Sequence, residues 1–329
     1  MAGQAGAPWI AGFNQPTWRW ESGMTDAKII GTAASIVLVA GPLLLGLAGW
    51  VHVRREQYDV RPGLSAPGNW RLTIASALLY VLAFNLTFFI QELFLVLPKA
   101  LTPGLRPTLF HNNHSWQGTS PLASLFQGTG VLATIFSGGS CWLLVQRLKP
   151  TSTTARLFLL WMAYCGLFMA LPQVVIGAIS PQSDVGMAMH YLHLGSTTKL
   201  IMALAALGVV PWLAQWLGSR FLTVAGDTGQ VASARARNRF IFRAATLPAL
   251  IAIPMIIPFR VPRMWIEVVA VPVVVTLIGI AWIQAGAWRM RATSSVSRRS
   301  PGSLTWLLAA VCLLLLVFQF LLRPGVRFY

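Results

Sequence analysis

Long apolar blocks separated by short polar or basic stretches form the main pattern along the chain. A helix needs about 20 apolar residues to cross the hydrocarbon core of a bilayer, and most of the blocks reach that length. The pattern therefore predicts an all-α polytopic membrane protein with about eight transmembrane helices. Small residues at 137–140, inside the third block, predict close packing against a neighbouring helix. The predicted spans are 29–51, 72–98, 121–145, 157–180, 186–217, 241–258, 264–288 and 303–322.

The composition agrees with a lipid-facing surface and narrows the choice of partners. Only 10% of the 329 residues are charged, against about 25% in soluble domains. These are too few charged side chains to cover the surface of a protein that is surrounded by water. The net charge of +17 comes from basic residues between the apolar blocks, where they meet lipid headgroups. Membrane lipids and membrane-protein partners are therefore expected. Nucleic acid is not expected, because the pattern leaves no soluble domain to bind it.

Basic residues in the loops predict the orientation. The loops after spans one, three, five and seven carry sixteen Lys or Arg residues, and the opposite side carries eight. Because the side richer in Lys and Arg faces the cytoplasm, both termini are predicted to be non-cytoplasmic, in an integral protein of a bacterial inner (plasma) membrane. The predicted organisation is a non-cytoplasmic segment 1–28, a five-helix core 29–217 with an outer-face cluster of His, Glu and Asp, a basic cytoplasmic linker 218–240 and three C-terminal transmembrane helices within 241–329.

Four of the five histidines form two H-x-x-H pairs, His111 with His114 and His190 with His193. The predicted orientation puts both pairs at the outer face, together with Asp184 in the loop before span five. Imidazole and carboxylate groups are common ligands of transition metals. These five residues are therefore the candidate ligands of zinc or another transition metal. The alternative is that the histidines are hydrogen-bonded residues at the membrane interface.

Glu92 lies inside span two, where an unpaired charge costs about 2.5–3.5 kcal/mol on insertion scales. Asn85, one heptad earlier, predicts that this helix face is polar and turns towards the bundle interior. Glu92 is the candidate catalytic residue, as a general acid or base, and Lys199 in span five is its expected partner. A structural Glu–Lys pair is the alternative. The segment after span two is expected to be a plain loop rather than a hairpin or a re-entrant segment.

The order of these features, over about residues 72–195, resembles the site-2-protease family of intramembrane zinc metalloproteases. In that family one span carries H-E-x-x-H, a loop or hairpin follows, and a later span carries an Asp-Gly motif whose Asp is the third zinc ligand. Here Glu92 stands at the general-base position, and Asp184 stands in an Asp-Val-Gly sequence. Gln91 and Leu95 replace the two motif histidines. The resemblance thus implies a degenerate relative, either a pseudo-protease or one whose site is rebuilt from the four other histidines.

Three functions remain open at this point. The first is a membrane-embedded, metal-dependent enzyme, simplest as a metallohydrolase, with Glu92 as acid or base. The second is a non-catalytic membrane subunit or scaffold of a larger complex, which fourteen tryptophans and broad apolar faces would suit. The third is a transporter component, because charged groups within the membrane and a proline-containing sixth span are features that transporters use.

Overall fold

A computed structural model of the chain describes residues 17–56, 70–147, 152–263, 265–291 and 302–329. The described part is nearly all helical and contains eight helices that are long and apolar enough to cross a membrane, which confirms the predicted all-α polytopic class. A ninth, short helix, α5, precedes the fifth span. In chain order the helices are α1 (Thr25–Glu56), α2 (Trp70–Ala100), α3 (Leu122–Arg147), α4 (Thr153–Ile179), α5 (Asp184–Tyr191), α6 (Ser196–Leu222), α7 (Ala234–Arg260), α8 (Glu267–Arg289) and α9 (Leu304–Leu322).

The fifth span differs most from its prediction. The apolar pattern predicts one continuous helix over 186–217, and the structure shows two. α5 ends at Tyr191, His193 has a left-handed backbone conformation with φ +52°, and α6 begins at Ser196. The Ser183 hydroxyl starts α5 by accepting from the Gly186 N–H at 3.2 Å, as serine commonly does at a helix N-terminus. The single continuous span is therefore wrong, because a short helix and a turn precede the true one.

The spans α2 and α4 are the most buried and form the centre of the bundle. Small residues let α3 approach α4 closely. A Cβ at Gly166 in α4 would lie 2.7 Å from the Cα of Gly138 in α3, which is closer than real Cβ contacts. This confirms the close packing that the small residues of the third span predict. By contrast, α1 and α9 are the least buried spans, so they present the broadest apolar faces to the surroundings.

Buried polar groups link the central helices. The indole N–H of Trp161 in α4 donates to Ser76 Oγ in α2 at 2.9 Å, and the Ser76 hydroxyl donates to the Ala244 carbonyl in α7 at 2.6 Å. The Tyr164 hydroxyl donates to the Thr276 carbonyl in α8 at 2.6 Å. Because these groups lie away from water, the bonds satisfy polar atoms that would otherwise be costly to bury. They also fix α2 relative to α4, α7 and α8.

The segment after α2 folds as a hairpin, so the expectation of a plain loop is wrong. β1 (Arg106–Leu109) pairs antiparallel with β2 (His114–Gln117), and β3 (Val326–Arg327) joins the other edge of β1. Gly118 has φ +93°, and a Cβ there would collide with the Gly104 carbonyl. Glycine is therefore required where β2 leaves the hairpin. The β1–β3 pairing puts the last residues beside the α2–α3 connection. The spans between these two segments are even in number, so both segments must lie at the same end of the bundle.

The basic segment 218–240, expected to be a flexible linker, has regular structure over most of its length. α6 continues to Leu222, a 3₁₀ turn covers Thr228–Val231, and α7 begins at Ala234. The Asp227 carboxylate and the Ser233 hydroxyl accept from backbone N–H groups at 3.1 Å where the turn and the helix start. The segment lies at the end of the bundle opposite to the hairpin. The membrane side of each end stays a prediction.

Candidate functional site

Glu92 and His114 form the centre of the candidate site. Glu92 lies near the end of α2 and is 5% exposed, and Asn85 on the same face is 2% exposed, which confirms that this polar face turns inwards. His114 begins β2, and its Nδ1 lies 2.8 Å from Glu92 Oε2. The side chain alone is 7% exposed for His114 and 6% exposed for Glu92. The hairpin therefore carries an imidazole into the end of the bundle, where its contact with the carboxylate is shielded from water.

Lys99 and Gln127 surround the other ring nitrogen of His114. Lys99 lies near the end of α2 and is fully buried. Its ammonium donates to Gln127 Oε1 at 2.8 Å and to the Leu95 carbonyl at 2.9 Å, and it lies 3.2 Å from His114 Nε2. Gln127 comes from the first turns of α3, and its Oε1 lies 3.0 Å from the same Nε2. The Trp116 ring covers the ammonium at 4.5 Å, a favourable position for a cation.

The partners of His114 fit two protonation states. With Nδ1 donating to Glu92, a neutral imidazole accepts from Lys99 at Nε2, whereas an imidazolium donates from Nε2 to Gln127 Oε1. Both partners already lie within hydrogen-bonding reach of Nε2. An imidazolium and the Lys99 ammonium would both be positively charged donors across the 3.2 Å contact, so proton uptake at Nε2 requires the ammonium to move away from this nitrogen. General acid–base catalysis needs a group that exchanges a proton in this way.

Asp184 begins α5 beside this centre and interacts electrostatically with Glu92, His114 and Lys99. Burial raises the pKa of Asp184 above its ordinary value, and the negative charge of Glu92 raises it further. The positive charges of His114 and Lys99 act in the opposite direction and do not cancel the increase. A carboxyl group that keeps its proton to a higher pH than usual is better suited to act as an acid.

His111 occupies a separate position at the turn of the hairpin. It is 5% exposed, and neither ring nitrogen makes a hydrogen bond with any residue in the described part of the chain. Burial lowers the pKa of His111, and the positive charge of Arg263 lowers it further. The backbone carbonyls of Arg260 and Val261 act in the opposite direction. These carbonyls lie close to the ring, but their geometry is not that of a hydrogen bond. The neighbouring Asn112 donates to the Arg260 carbonyl at 2.7 Å and accepts from Arg263 Nε at 3.1 Å. The hairpin turn is thereby attached to the end of α7.

Arg260 brings a second buried positive charge to this end of the bundle. Its guanidinium lies 4.3 Å from the centre of the Phe88 ring, and its Nε donates to the Glu267 carbonyl at 3.1 Å. Glu92 interacts with it electrostatically, although no carboxylate of the described residues lies within ion-pair distance of it. Lys99 and Arg260 therefore add two positive charges close to Glu92, a balance that suits an anionic group of a ligand.

The five predicted metal ligands do not share one centre. His114 and Asp184 lie with Glu92, whereas His111 is buried elsewhere. His190 and His193 are exposed, because α5 ends before His193 and the chain turns there. Across the ranges that the structure describes, no group of three or more His, Cys, Asp or Glu side chains is arranged to hold a metal ion. Metal binding by some of these residues stays a prediction.

The partner of Glu92 is a further correction. His114 takes the place that Lys199 was expected to fill. Because α6 begins at Ser196, Lys199 lies in its first turn and is half-buried. The lysine of the centre is Lys99, which the sequence pattern does not single out. Its spacing is the signal that could have identified it, since residues seven apart lie on the same face of a helix as Glu92.

No family model, curated protein or solved structure matches the chain. The resemblance to the site-2-protease family therefore rests on the order of motifs alone and stays a prediction. At its two replaced histidine positions, Gln91 Oε1 accepts from Gln173 Nε2 at 2.9 Å, and Leu95 is buried in the apolar interior.

Proposed function

We propose that the chain is an integral membrane enzyme with a buried acid–base centre, Glu92 and His114, at the non-cytoplasmic face. The observation that supports this best is the 2.8 Å contact between Glu92 Oε2 and His114 Nδ1, with a donor and an acceptor both beside Nε2. A carboxylate that accepts from Nδ1–H orients the imidazole. It also stabilises the imidazolium that forms when Nε2 takes up a proton.

Hydrolysis is the simplest reaction for this centre. His114 Nε2 removes a proton from water as the water oxygen bonds to an acyl or phosphoryl centre of the substrate. Asp184, whose raised pKa favours its protonated form, donates a proton to the leaving group as the old bond breaks. Lys99 and Arg260 supply positive charge for the developing oxyanion. Water must first replace the Lys99 ammonium at Nε2, and this 3.2 Å contact is the longest of the three polar contacts of Lys99.

The first test measures the protonation of His114. The full chain, with ¹⁵N-labelled histidine, is reconstituted in lipid nanodiscs, and the His114 signals are assigned by comparison with H114Q. At pH 7 we expect Nδ1 to carry the proton that Glu92 Oε2 accepts, and Nε2 to carry none, because it faces the Lys99 ammonium. A proton on Nε2 and none on Nδ1 would count against an acid–base centre in which Glu92 orients the ring.

The second test measures hydrolysis of a panel of lipid-linked and soluble esters, phosphodiesters and peptides. E92Q keeps an acceptor for the His114 Nδ1–H but removes the charge that stabilises the imidazolium. A general acid–base role predicts that this change lowers activity by about 10²–10⁴-fold, measured at a temperature at which the variant, which also loses the carboxylate near Lys99, is still folded. H190Q is the matched control, because His190 is exposed. Equal activity of E92Q and the unmodified chain would leave Glu92 with a structural role.

A metal-dependent form of the same site is the second candidate. The observation in its favour is that Glu92, His114 and Asp184 interact within one region. Against it, the Lys99 ammonium lies beside His114 Nε2, the nitrogen left for a metal, and would repel a cation there. The metal content of the purified chain distinguishes the two forms. About one zinc or other transition-metal ion per chain, lost in H114Q and D184N but kept in H190Q, would favour a metallohydrolase.

A further inference from the structure

Two adjoining cavities lie at the end of the bundle opposite to the Glu92–His114 centre. The first, of about 430 Å³, lies between α1, α7 and α8, and the second, of about 440 Å³, extends towards the start of α2. Because Asn238 and Gln284 line both, the two cavities form one groove, called the α1/α7/α8 groove below. The predicted orientation puts it on the cytoplasmic side, at the level where spans one and seven end.

The groove carries positive charge. Arg54 lines its first part and lies over the Trp50 ring at 3.9 Å, and Arg243 lines its second part and is exposed. Among the described residues that line the two cavities there is no Asp or Glu. The nearby Glu56 lies 3.5 Å from His52 instead. Since guanidinium groups match the geometry of phosphate oxygens, a phosphate is the anion that these side chains fit best.

Two buried polar atoms of the groove have no partner among the residues that the structure describes. Trp288 Nε1, a donor, and Asn238 Oδ1, an acceptor, make no hydrogen bond with them, although both residues line the first cavity. Buried polar atoms normally have partners, and each exception calls for an explanation. A ligand that offers an acceptor to the indole and a donor to the amide would satisfy both atoms. Phosphate oxygens supply the acceptor, and a hydroxyl group supplies the donor.

We propose that the α1/α7/α8 groove binds an anionic glycerophospholipid whose headgroup carries a hydroxyl, such as phosphatidylglycerol. Its phosphate meets the guanidinium groups, and its hydroxyl donates to Asn238 Oδ1. Trp50 and Trp70, which are 52% and 64% exposed, flank the headgroup as tryptophans commonly do at a membrane interface. Basic pockets between transmembrane helices on the cytoplasmic side bind anionic headgroups for the same reason. The groove is independent of the acid–base centre.

Native mass spectrometry of the full chain, released from micelles that contain equal amounts of phosphatidylglycerol and phosphatidylcholine, tests the charge. R54Q/R243Q should retain about 25-fold less phosphatidylglycerol, from about fivefold per arginine near an anionic surface. R235Q/R289Q is the matched control, because these exposed arginines lie at the same end of the bundle but do not line the groove. Equal losses in the two variants, or no preference over phosphatidylcholine, would overturn the proposal.

A second comparison tests the hydroxyl and the source of the phosphate. Phosphatidylmethanol carries the same phosphate charge without a headgroup hydroxyl. The unmodified chain should retain phosphatidylglycerol several-fold better, and N238L should lose that preference while keeping its preference for anionic lipid. Millimolar inorganic phosphate is then added to the lipid-loaded chain. Complete displacement of the lipid would show that the groove recognises free phosphate, and equal retention of the two anionic lipids by the unmodified chain would refute the role of Asn238.

Discussion

A double-mutant cycle on Glu92 and His114 would measure whether the two side chains act as a unit. A hydrogen bond to a charged group contributes about 1.5–3 kcal/mol in soluble proteins. In membrane bundles the measured coupling averages about 0.6 kcal/mol with a maximum of about 1.7, because the unfolded chain finds other partners within the membrane. The 2.8 Å separation and the burial of both side chains put this pair near the upper limit, so we expect a coupling of about 1.5 kcal/mol.

The assay is equilibrium unfolding of the full chain in mixed micelles of a nonionic detergent and sodium dodecyl sulfate. The cycle comprises the unmodified chain, E92L, H114L and E92L/H114L. E92L alone should destabilise the fold by about 3 kcal/mol, because it leaves the Lys99 ammonium buried without its nearby carboxylate. The double variant should be less destabilised than the sum of the two single variants.

A matched control cycle uses Gln91 and Gln173, a neutral pair whose side chains are 2.9 Å apart and which joins the same α2 to α4. Q91L/Q173L should give a coupling of about 0.6 kcal/mol, the average for neutral pairs in membrane bundles. The comparison separates the effect of charge from the effect of a hydrogen bond made by an α2 side chain. A coupling for Glu92 and His114 no larger than that of the control would refute the view that they form one charge-assisted unit.

Three further predictions follow from burial and close contacts. The raised pKa of Asp184 means that the folded state holds this proton more tightly than the unfolded state, so the free energy of unfolding falls as pH rises above about 4. D184N should therefore raise the melting temperature at pH 7 and leave it unchanged at the acid end. A lower melting temperature of D184N at pH 7 would contradict this reasoning. G166V should cost about 3 kcal/mol because its Cβ meets backbone of α3, whereas G139V, with open space, should be nearly neutral; similar melting temperatures would contradict the close packing. H190Q/H193Q should change stability by less than about 0.5 kcal/mol, because both histidines are exposed, and a larger loss in chemical unfolding would show that they have buried partners.

Hydropathy predicted the depth of most residues in the bundle, since the length of an apolar block determines where a helix enters and leaves the membrane. Because successive spans alternate in direction, the same pattern predicted that the end of α2, the following connection and the start of α5 lie at one end. Glu92, His114 and Asp184 are found together for this reason. The predicted bounds of the fifth span are less accurate, because apolar residues continue through the turn at His193. Hydropathy therefore gives no sign of the break between α5 and α6.

Hydropathy does not predict which side chains meet at a given depth. The two H-x-x-H pairs show why. Residues three apart share a face only in a helix, and His111 and His114 lie in a hairpin, where the turn closed by Phe110 N–H and the Asn113 carbonyl at 2.8 Å separates them. His114 therefore reaches Glu92, while His111 lies against the end of α7. β3, far away in the sequence, pairs with β1 of this hairpin, and local propensity cannot anticipate such a contact.

Lys99 explains how a polar centre is stable at this depth. Its ammonium has a carbonyl, an amide oxygen and an imidazole nitrogen as acceptors, and the Trp116 ring on another side, so these groups replace much of a hydration shell. Glu92 and Asp184 supply the nearby negative charge. The same acceptors could surround a metal ion only if the ammonium left. The proposed transfer of a proton to His114 Nε2 needs the same movement, because water must reach that nitrogen. The position of the Lys99 side chain therefore decides whether either reaction is open to the centre.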